Sequence, residues 1–212
     1  QDEASALVAS SIGLPLDKEY KILDTCAAPG GKSLHIASKY FNSTLISCDK
    51  YIHKLKLIED NKEKLDITNI QVKEQDATAN NDSFIENFDI VVCDVPCSGI
   101  GVIKNKPEIK YKITNAYIED IAKLQYQILE NSKNYVKQGG TLMYSTCTID
   151  KRENIKNIEK FLKENKDFSL ENITLNNSIV KSRENGVLEI LPDEYSCDGF
   201  FIAKLKKMEA KC

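Results

Sequence analysis

The chain contains no tryptophan, two methionines and only two histidines, His35 and His53. No apolar run approaches the roughly 18–20 residues that a membrane-crossing helix needs, so no transmembrane segment is expected. Nor does a basic start lead into an apolar stretch and a small-residue cleavage site, so no signal peptide is read. C-x-x-C pairs are missing as well: Cys93 and Cys97 lie one residue too far apart, and Cys26, Cys48, Cys147, Cys197 and Cys212 stand alone. With so few histidines, that spacing argues against a zinc site, and no metal is expected. Seven cysteines is an odd number, and a chain of 212 residues is too large to need disulfide staples. The thiols therefore read as reduced and the protein as cytoplasmic, with most cysteines packed as small hydrophobes. An excess of positive charge is also lacking. Lys and Arg number 29 against 32 Asp and Glu, a formal charge of −3, which argues against nucleic-acid binding as a property of the whole surface. The opening Gln1-Asp2-Glu3 lacks an initiator Met, as expected of a fragment or a trimmed chain.

What is present fits one domain: 42% hydrophobic residues to build a core and 29% charged residues to keep it in water. Strand and helix patterns alternate. Tyr20–Cys26, Thr44–Cys48, Ile70–Lys73, Phe88–Cys93 and Thr141–Ser145 read as strands, the β-branched run Phe88–Cys93 as one buried on both faces. Helices are expected over Ser33–Tyr40, Ile52–Leu65, Tyr117–Val136 (closed by Gly139-Gly140) and Glu153–Asn165. The tail reads as two strands, VLEILP and GFFIAKLK, joined by a polar turn over Asp193–Gly199. Alternating β and α segments predict a Rossmann-like α/β fold: a mostly parallel seven-stranded sheet with a C-terminal antiparallel hairpin. In such a sheet ligands bind beyond the carboxyl ends of the strands. That directs attention to the turns after Cys26, Cys48, Cys93 and Tyr144.

The first turn reads Asp24-Thr25-Cys26-Ala27-Ala28-Pro29-Gly30-Gly31-Lys32-Ser33. Its G-K-S ending invites a P-loop reading, but Cys26 stands where the first P-loop glycine belongs. A G-x-G-x-x-G fingerprint is absent too. What remains is a small-residue loop followed, 18 residues past Gly31, by Asp49 at a strand end, close to the spacing at which a carboxylate meets ribose hydroxyls. Asp76 repeats the pattern after the third strand. Two further turns, Asp94-Val95-Pro96-Cys97-Ser98-Gly99 and Tyr144-Ser145-Thr146-Cys147-Thr148, each set a cysteine just past a strand end. Either cysteine alone is more simply a core thiol; two at independent strand ends, one beside an acid, are less easily coincidence.

These three stretches together resemble the Sun/Nop family of RNA cytosine-C5 methyltransferases, over nearly the whole chain. The resemblance implies S-adenosylmethionine as cofactor, held by Cys26, Ala27, Ala28, Pro29, Gly30, Gly31 and Lys32, with Asp49 at the ribose, Asp76 at the adenine and Asp94 nearby. It implies Cys147 as the nucleophile that adds to carbon 6 of cytosine, and Cys97 as the thiol that helps release the methylated base. Such covalent addition makes carbon 5 nucleophilic enough to accept a methyl group. A thiol with a pKa of about 8.5 is only about 3% ionised at pH 7, so an activating environment is expected around Cys147. Asp94 is expected to hydrogen-bond or protonate cytosine N3, kept protonated by burial, with Lys32 ordering the cluster. DNA cytosine-C5 enzymes use the Pro-Cys thiol as nucleophile, usually followed by Gln; here Ser98 follows Cys97 and a second cysteine stands in Thr-Cys-Thr, the RNA pattern. Thr148 departs mildly from the family's usual Ser.

The lysine-rich segment after Cys97, with Lys104, Lys106 and Lys110, would on charge alone be a solvated loop. The family's basic G-x-x-R-x-x-P stretch lies there, which implies contact with the RNA backbone. Lys104 replaces the usual Arg, keeping the charge but losing the planar fork. The expected partner is RNA, ribosomal RNA before transfer RNA, and the expected state a monomer. An N-terminal RNA-binding domain is expected to precede residues 1–212 in the full protein. A methyltransferase-like subunit that has lost catalysis is the alternative, and the retained Cys97, Cys147, Asp94 and cofactor loop argue against it. A small-molecule methyltransferase would leave the paired cysteines without a task.

Overall fold

The computed structural model describes residues 3–175, 185–195 and 197–209; Gln1, Asp2, Cys212 and, within the expected 193–199 turn, Ser196 lie outside them. Its strands are β1 (Lys21–Asp24), β2 (Thr44–Asp49), β3 (Ile70–Glu74), β4 (Phe88–Asp94), β5 (Val136–Thr146), β6 (Phe168–Leu170), β7 (Val187–Ile190) and β8 (Phe200–Lys207). Helices are α1 (Glu3–Ile12), α2 (Gly31–Lys39), α3 (Ile52–Lys64), α4 (Asn115–Ser132), α5 (Ile155–Glu164) and the single turn α6 (Pro192–Tyr195). The sheet runs β3-β2-β1-β4-β5-β8-β6, with β7 also on β8. β1 to β5 are mutually parallel, whereas β8 is antiparallel to all three of its neighbours. β6 pairs with Leu205–Lys207 and β7 with Phe200–Ala203, so two short strands share one edge of β8. Eight strands thus fill seven positions. This is the expected Rossmann-like α/β fold, with the expected antiparallel hairpin β7–β8.

The apolar runs divide between two cores as a period of two requires. Ile22, Leu45, Ile90, Val92, Met143 and Ile202 face one layer with α1 and α2. Leu23, Val91, Leu142, Tyr144 and Phe201 face the other, under α4 and α5. β4 is buried on both faces, as its sequence predicted. Chain order reverses beside β1, which pairs with β2 on one side and β4 on the other. At that switch point the carboxyl ends of adjacent strands diverge and leave a crevice.

Several elements differ from the sequence reading. α1 was not anticipated; its Ala4, Leu7, Val8 and Ile12 are buried against the first core. β6 was also unforeseen. Gly139-Gly140 does not close α4, which ends at Ser132 and passes through a 3₁₀ turn, Lys133–Tyr135, into β5. Buried Tyr135 and Val136 fix that early exit, and the glycines lie inside β5, where the register with β4 shifts.

Candidate active site

The switch-point crevice is a cleft of about 490 Å³. Its walls include Cys26 and Ala28 from the turn after β1, Asp49 after β2, Asp76 after β3, Asp94 and Cys97 after β4, and Cys147 after β5. Each is a strand-end residue, so the parallel sheet itself aligns them. α4 closes the cleft with Leu124, Gln127 and Ile128. A second cleft of about 510 Å³ lies between α4 and α5, with Tyr126, Arg152 and Lys160 among its walls, and no thiol lines it.

The β1 turn is held from both sides. Ala27 N–H donates to Cys48 C=O at 2.7 Å, and Gly30 N–H to Ala27 C=O at 2.7 Å. Gly30 precedes α2 with φ +103°, and a Cβ there would sit 3.2 Å from the Ile58 side chain of α3. Only glycine suits both conditions. Ala27, Pro29, Gly30 and Gly31 shape the loop without lining the cleft. Ser33 donates to Asp24 Oδ2 at 2.6 Å and Cys26 N–H to Asp24 Oδ1 at 3.3 Å.

Burial pushes Asp24 up to about 7 against these two bonds, making it the carboxyl most altered by its surroundings. In the unfolded chain an aspartate ionises near ~3.9, so the folded state holds this proton more tightly. The resulting stabilisation is complete below about pH 4 and is lost as pH rises to about 7. Asp24→Asn removes the titration and keeps both hydrogen bonds feasible. It is expected to gain on the wild type by about 2–4 kcal/mol between pH 5 and pH 8, measured by denaturant unfolding. Parallel stability curves for the two proteins would refute this account of Asp24.

Asp49 accepts from Tyr51 N–H at 3.1 Å. Asp76 is paired with Lys50 at 2.8 Å and accepts from the Thr78 N–H and hydroxyl, contacts that draw it down to about 2. Lys32 reaches across the cleft to Asp94 Oδ2 at 2.7 Å, while Ser145 Oγ donates to Asp94 Oδ1 at 2.7 Å. The side chain of Asp94 is 24% exposed and ion-paired. Lys32 also lies 5.2 Å from the centre of the Phe200 ring, so β8 helps to fix it.

Cys97 Sγ and Cys147 Sγ stand 3.0 Å apart. The contact separates their acidities. The Cys97 thiol is pushed up by its bond to Cys147 and by burial; the Cys147 thiol is drawn down by that bond and, against burial and the Asp94 charge, by the Lys32 ammonium. Burial instead raises Cys48 to about 12 and Cys93 to about 11, as suits core thiols. Cys147 is further pinned through its carbonyl, which accepts from Gly101 N–H at 3.1 Å, while Gly101 C=O accepts from Gly199 N–H at 2.8 Å. A Cβ on Gly101 would lie 2.2 Å from Gly199 O and 2.8 Å from Cys147 O, so this backbone-to-backbone seat admits only glycine.

A family model described as 16S rRNA methyltransferase RsmB/F matches residues 11–206. The chain belongs to the RsmB/F family. It is 41% identical to the "Probable ribosomal RNA small subunit methyltransferase B" of Bacillus subtilis (strain 168), over 98% of this chain and 47% of that protein. Identity to the Ribosomal RNA small subunit methyltransferase B of Shewanella oneidensis is 39%, over 88% of this chain and 42% of that protein. The crystal structure of NSun6 from Pyrococcus horikoshii with SFG superposes with a TM-score of 0.84 at 30% identity, over 99% of this chain and 53% of that one. The chain therefore spans about half the length of the curated relatives it matches.

In this RsmB/F chain the predicted groups Cys26, Ala28, Asp49, Asp76, Asp94, Cys97 and Cys147 share one cleft, with Lys32 joined to it through Asp94. Lys104, Lys106 and Lys110 do not line it; they are exposed on the loop that Gly101 ties to Cys147 and that Asn105 ties to Asp198 at 2.9 Å. Sequence reasoning missed the roles of Ser145, Lys50 and Thr78, each within two residues of a group it had found. It also missed Gln125 and Glu153, which lie beneath the cysteine turns and which no strand-end rule would have located. No helix among the described residues is long and apolar enough to cross a membrane, and no cluster of three or more potential metal-ligating side chains occurs among them.

Proposed function

We propose that residues 1–212 form the catalytic domain of an enzyme that methylates carbon 5 of a cytosine in RNA. The observation that carries this reading is the 3.0 Å Cys97–Cys147 contact, with the more acidic sulfur on Cys147, at the rim of a cleft that also holds Asp49 and Asp76. Thiol pairs of this kind serve addition and release at one carbon; other methyl acceptors need neither.

The cleft fits S-adenosylmethionine on its own features: a loop turned by Gly30 at φ +103°, and two carboxylates aligned at the ends of β2 and β3. Cys26, Ala28 and Lys32 would border its amino-acid end, Asp49 its ribose and Asp76 its adenine. Bound there, it supplies the electrophilic methyl group that carbon 5 accepts. The chain's own residues do the rest. The Cys147 thiolate forms a bond to carbon 6, and the electron pair of the C5=C6 bond moves into the ring. As that pair moves, N3 takes up a proton from water and donates it in a hydrogen bond to Asp94, itself paired with the Lys32 ammonium; the proton returns to water when the ring double bond re-forms. After methylation the carbon-5 proton is lost to solvent, the C5=C6 bond re-forms and Cys147 departs as thiolate. Cys97 S–H donates to that departing sulfur, which makes it a better leaving group. Such thiols fit a reducing compartment such as the cytoplasm.

Lys104, Lys106 and Lys110 would hold the phosphate backbone beside the flipped base. The relatives' names make small-subunit ribosomal RNA the substrate of choice, with an RNA-binding domain preceding this one in the full-length protein and the enzyme acting as a monomer. The test is direct: incubate full-length protein with S-adenosylmethionine and either small-subunit ribosomal RNA or transfer RNA, then digest and quantify 5-methylcytosine. Product in the ribosomal sample is expected. Product in transfer RNA alone would overturn the substrate assignment, and none in either would overturn the reaction.

A further inference from the structure

Beneath the two cysteine turns lies a carboxylate that the reaction above does not use. Glu153, fully buried just before α5, accepts four hydrogen bonds. Oε1 takes the Ser98 hydroxyl at 2.5 Å and the Thr148 hydroxyl at 3.1 Å; Oε2 takes Ser98 N–H at 2.9 Å and Gln125 Nε2 at 2.8 Å. Two hydroxyls, a backbone N–H and a side-chain amide thus converge on one carboxyl group, each able to serve its ionised form. No ion pair to Glu153 occurs among the described residues; the salt bridge of neighbouring Arg152 goes to Asp150. A buried charge held by neutral donors alone is costly, of the order of several kcal/mol, so its surroundings are built for it.

Those surroundings are the active-site turns. Ser98 follows Cys97 and Thr148 follows Cys147, and their hydroxyls also meet at 2.9 Å. Gln125 donates to Pro96 C=O at 3.0 Å as well, holding the residue before Cys97. From the other side Asn154 donates to Thr148 C=O at 2.9 Å, and Tyr144 at the end of β5 donates to Glu153 C=O at 2.5 Å. Both turns therefore hang on one side chain.

We propose that Glu153 is the positioning residue of the thiol pair: a buried anion that clamps the Cys97 turn to the Cys147 turn and so sets the distance between the two sulfurs. The role rests on the reading of Cys147 as nucleophile. The charge also acts through space. It opposes ionisation of the Cys97 thiol. Without it the geometric and the electrostatic cause of the asymmetry weaken together.

The test compares full-length wild type with Glu153→Gln and Ser98→Ala. Rates of iodoacetamide alkylation at Cys97 and Cys147 are followed against pH by mass spectrometry, beside kcat, KM and melting temperature. In Glu153→Gln the Cys147 profile is expected to move to higher pH and the Cys97 profile to lower pH, so that they converge. The kcat should fall about 100-fold, the cost of an ångström-scale misplacement, with both KM values within about threefold of wild type. Ser98→Ala keeps the carboxylate and removes one donor; it should move the same quantities in the same directions by less, and it decides the matter if Glu153→Gln does not fold. Unmoved alkylation profiles in a folded variant, whatever happens to its melting temperature, would assign Glu153 a purely structural part and overturn the proposal. So would an unchanged kcat. Alkylation needs no RNA, so a wild-type protein that failed to methylate cytosine would sink the proposed reaction and leave the clamp measurable.

Discussion

Cys147→Ala is expected to lose 5-methylcytosine formation by about 10⁴-fold or more, the scale on which enzymes lose rate when a covalent nucleophile is removed. The size of the effect follows from how poorly Cys97 could substitute. Its sulfur is only 3.0 Å away, but burial and the bond to Cys147 hold it as a thiol, and the Glu153 charge opposes its ionisation. The Lys32 ammonium, paired with Asp94 at 2.7 Å, lowers the Cys147 thiol. S-adenosylmethionine affinity, measured by titration calorimetry, should stay within about threefold of wild type, because the change removes one atom from the rim of the cleft. Turnover within about tenfold of wild type would mean that Cys147 is not the nucleophile.

The second large effect should come from Cys97→Ala, in the opposite observable. This variant keeps the attacking thiol and loses the S–H that accompanies its departure. A covalent protein–RNA species should therefore accumulate and survive a denaturing gel, while turnover falls by about 10²–10³-fold, the usual worth of a positioned proton donor. Adding Cys147→Ala to the same protein should abolish the adduct, which ties the trapped bond to the Cys147 sulfur. If Cys97→Ala were inactive without any adduct while Cys147→Ala still formed product, the two roles would have to be exchanged.

Much of this site could be read from the sequence because a parallel sheet converts chain order into geometry. Residues that end strands must gather at one rim, and Asp49, Asp76, Asp94, Cys97 and Cys147 all do. Four of the five parallel strands were legible as largely buried apolar runs, and β3, at the sheet edge, by its short alternation of apolar and polar residues. α1 has a helical spacing of buried positions, at 4, 7, 8 and 12, but its small residues give a weak contrast between faces. β6, at three residues, is shorter than any periodicity can reveal and exists because β8 offers it an edge. Gly139-Gly140 looked like a helix stop because local glycine chemistry says so, and the burial of Tyr135 overrode it. The pairing of Asp94 with Lys32, near the start of α2, could not be read from the sequence because the two lie 62 residues apart. Glu153 was invisible for a different reason: its partners come from three separate segments, and nothing in their spacing brings them together.

The Gly101–Gly199 contact has a consequence for how the protein comes into being. Cys147 leans on Gly101, Gly101 on Gly199, and Gly199 leads directly into β8. β8 is inserted between β5 and β6, so a strand made early in synthesis waits for one made about fifty residues later before its turn is braced. Domains emerge from the ribosome amino end first. The cofactor side of the cleft, built from β1 to β3, has its sequence complete when the thiol side still lacks its last support. A nascent chain thus completes the Asp49–Asp76 side of the cleft in sequence before the Cys147 turn is braced, and a chain interrupted before residue 199 would keep both cysteines without the backbone support that seats Cys147.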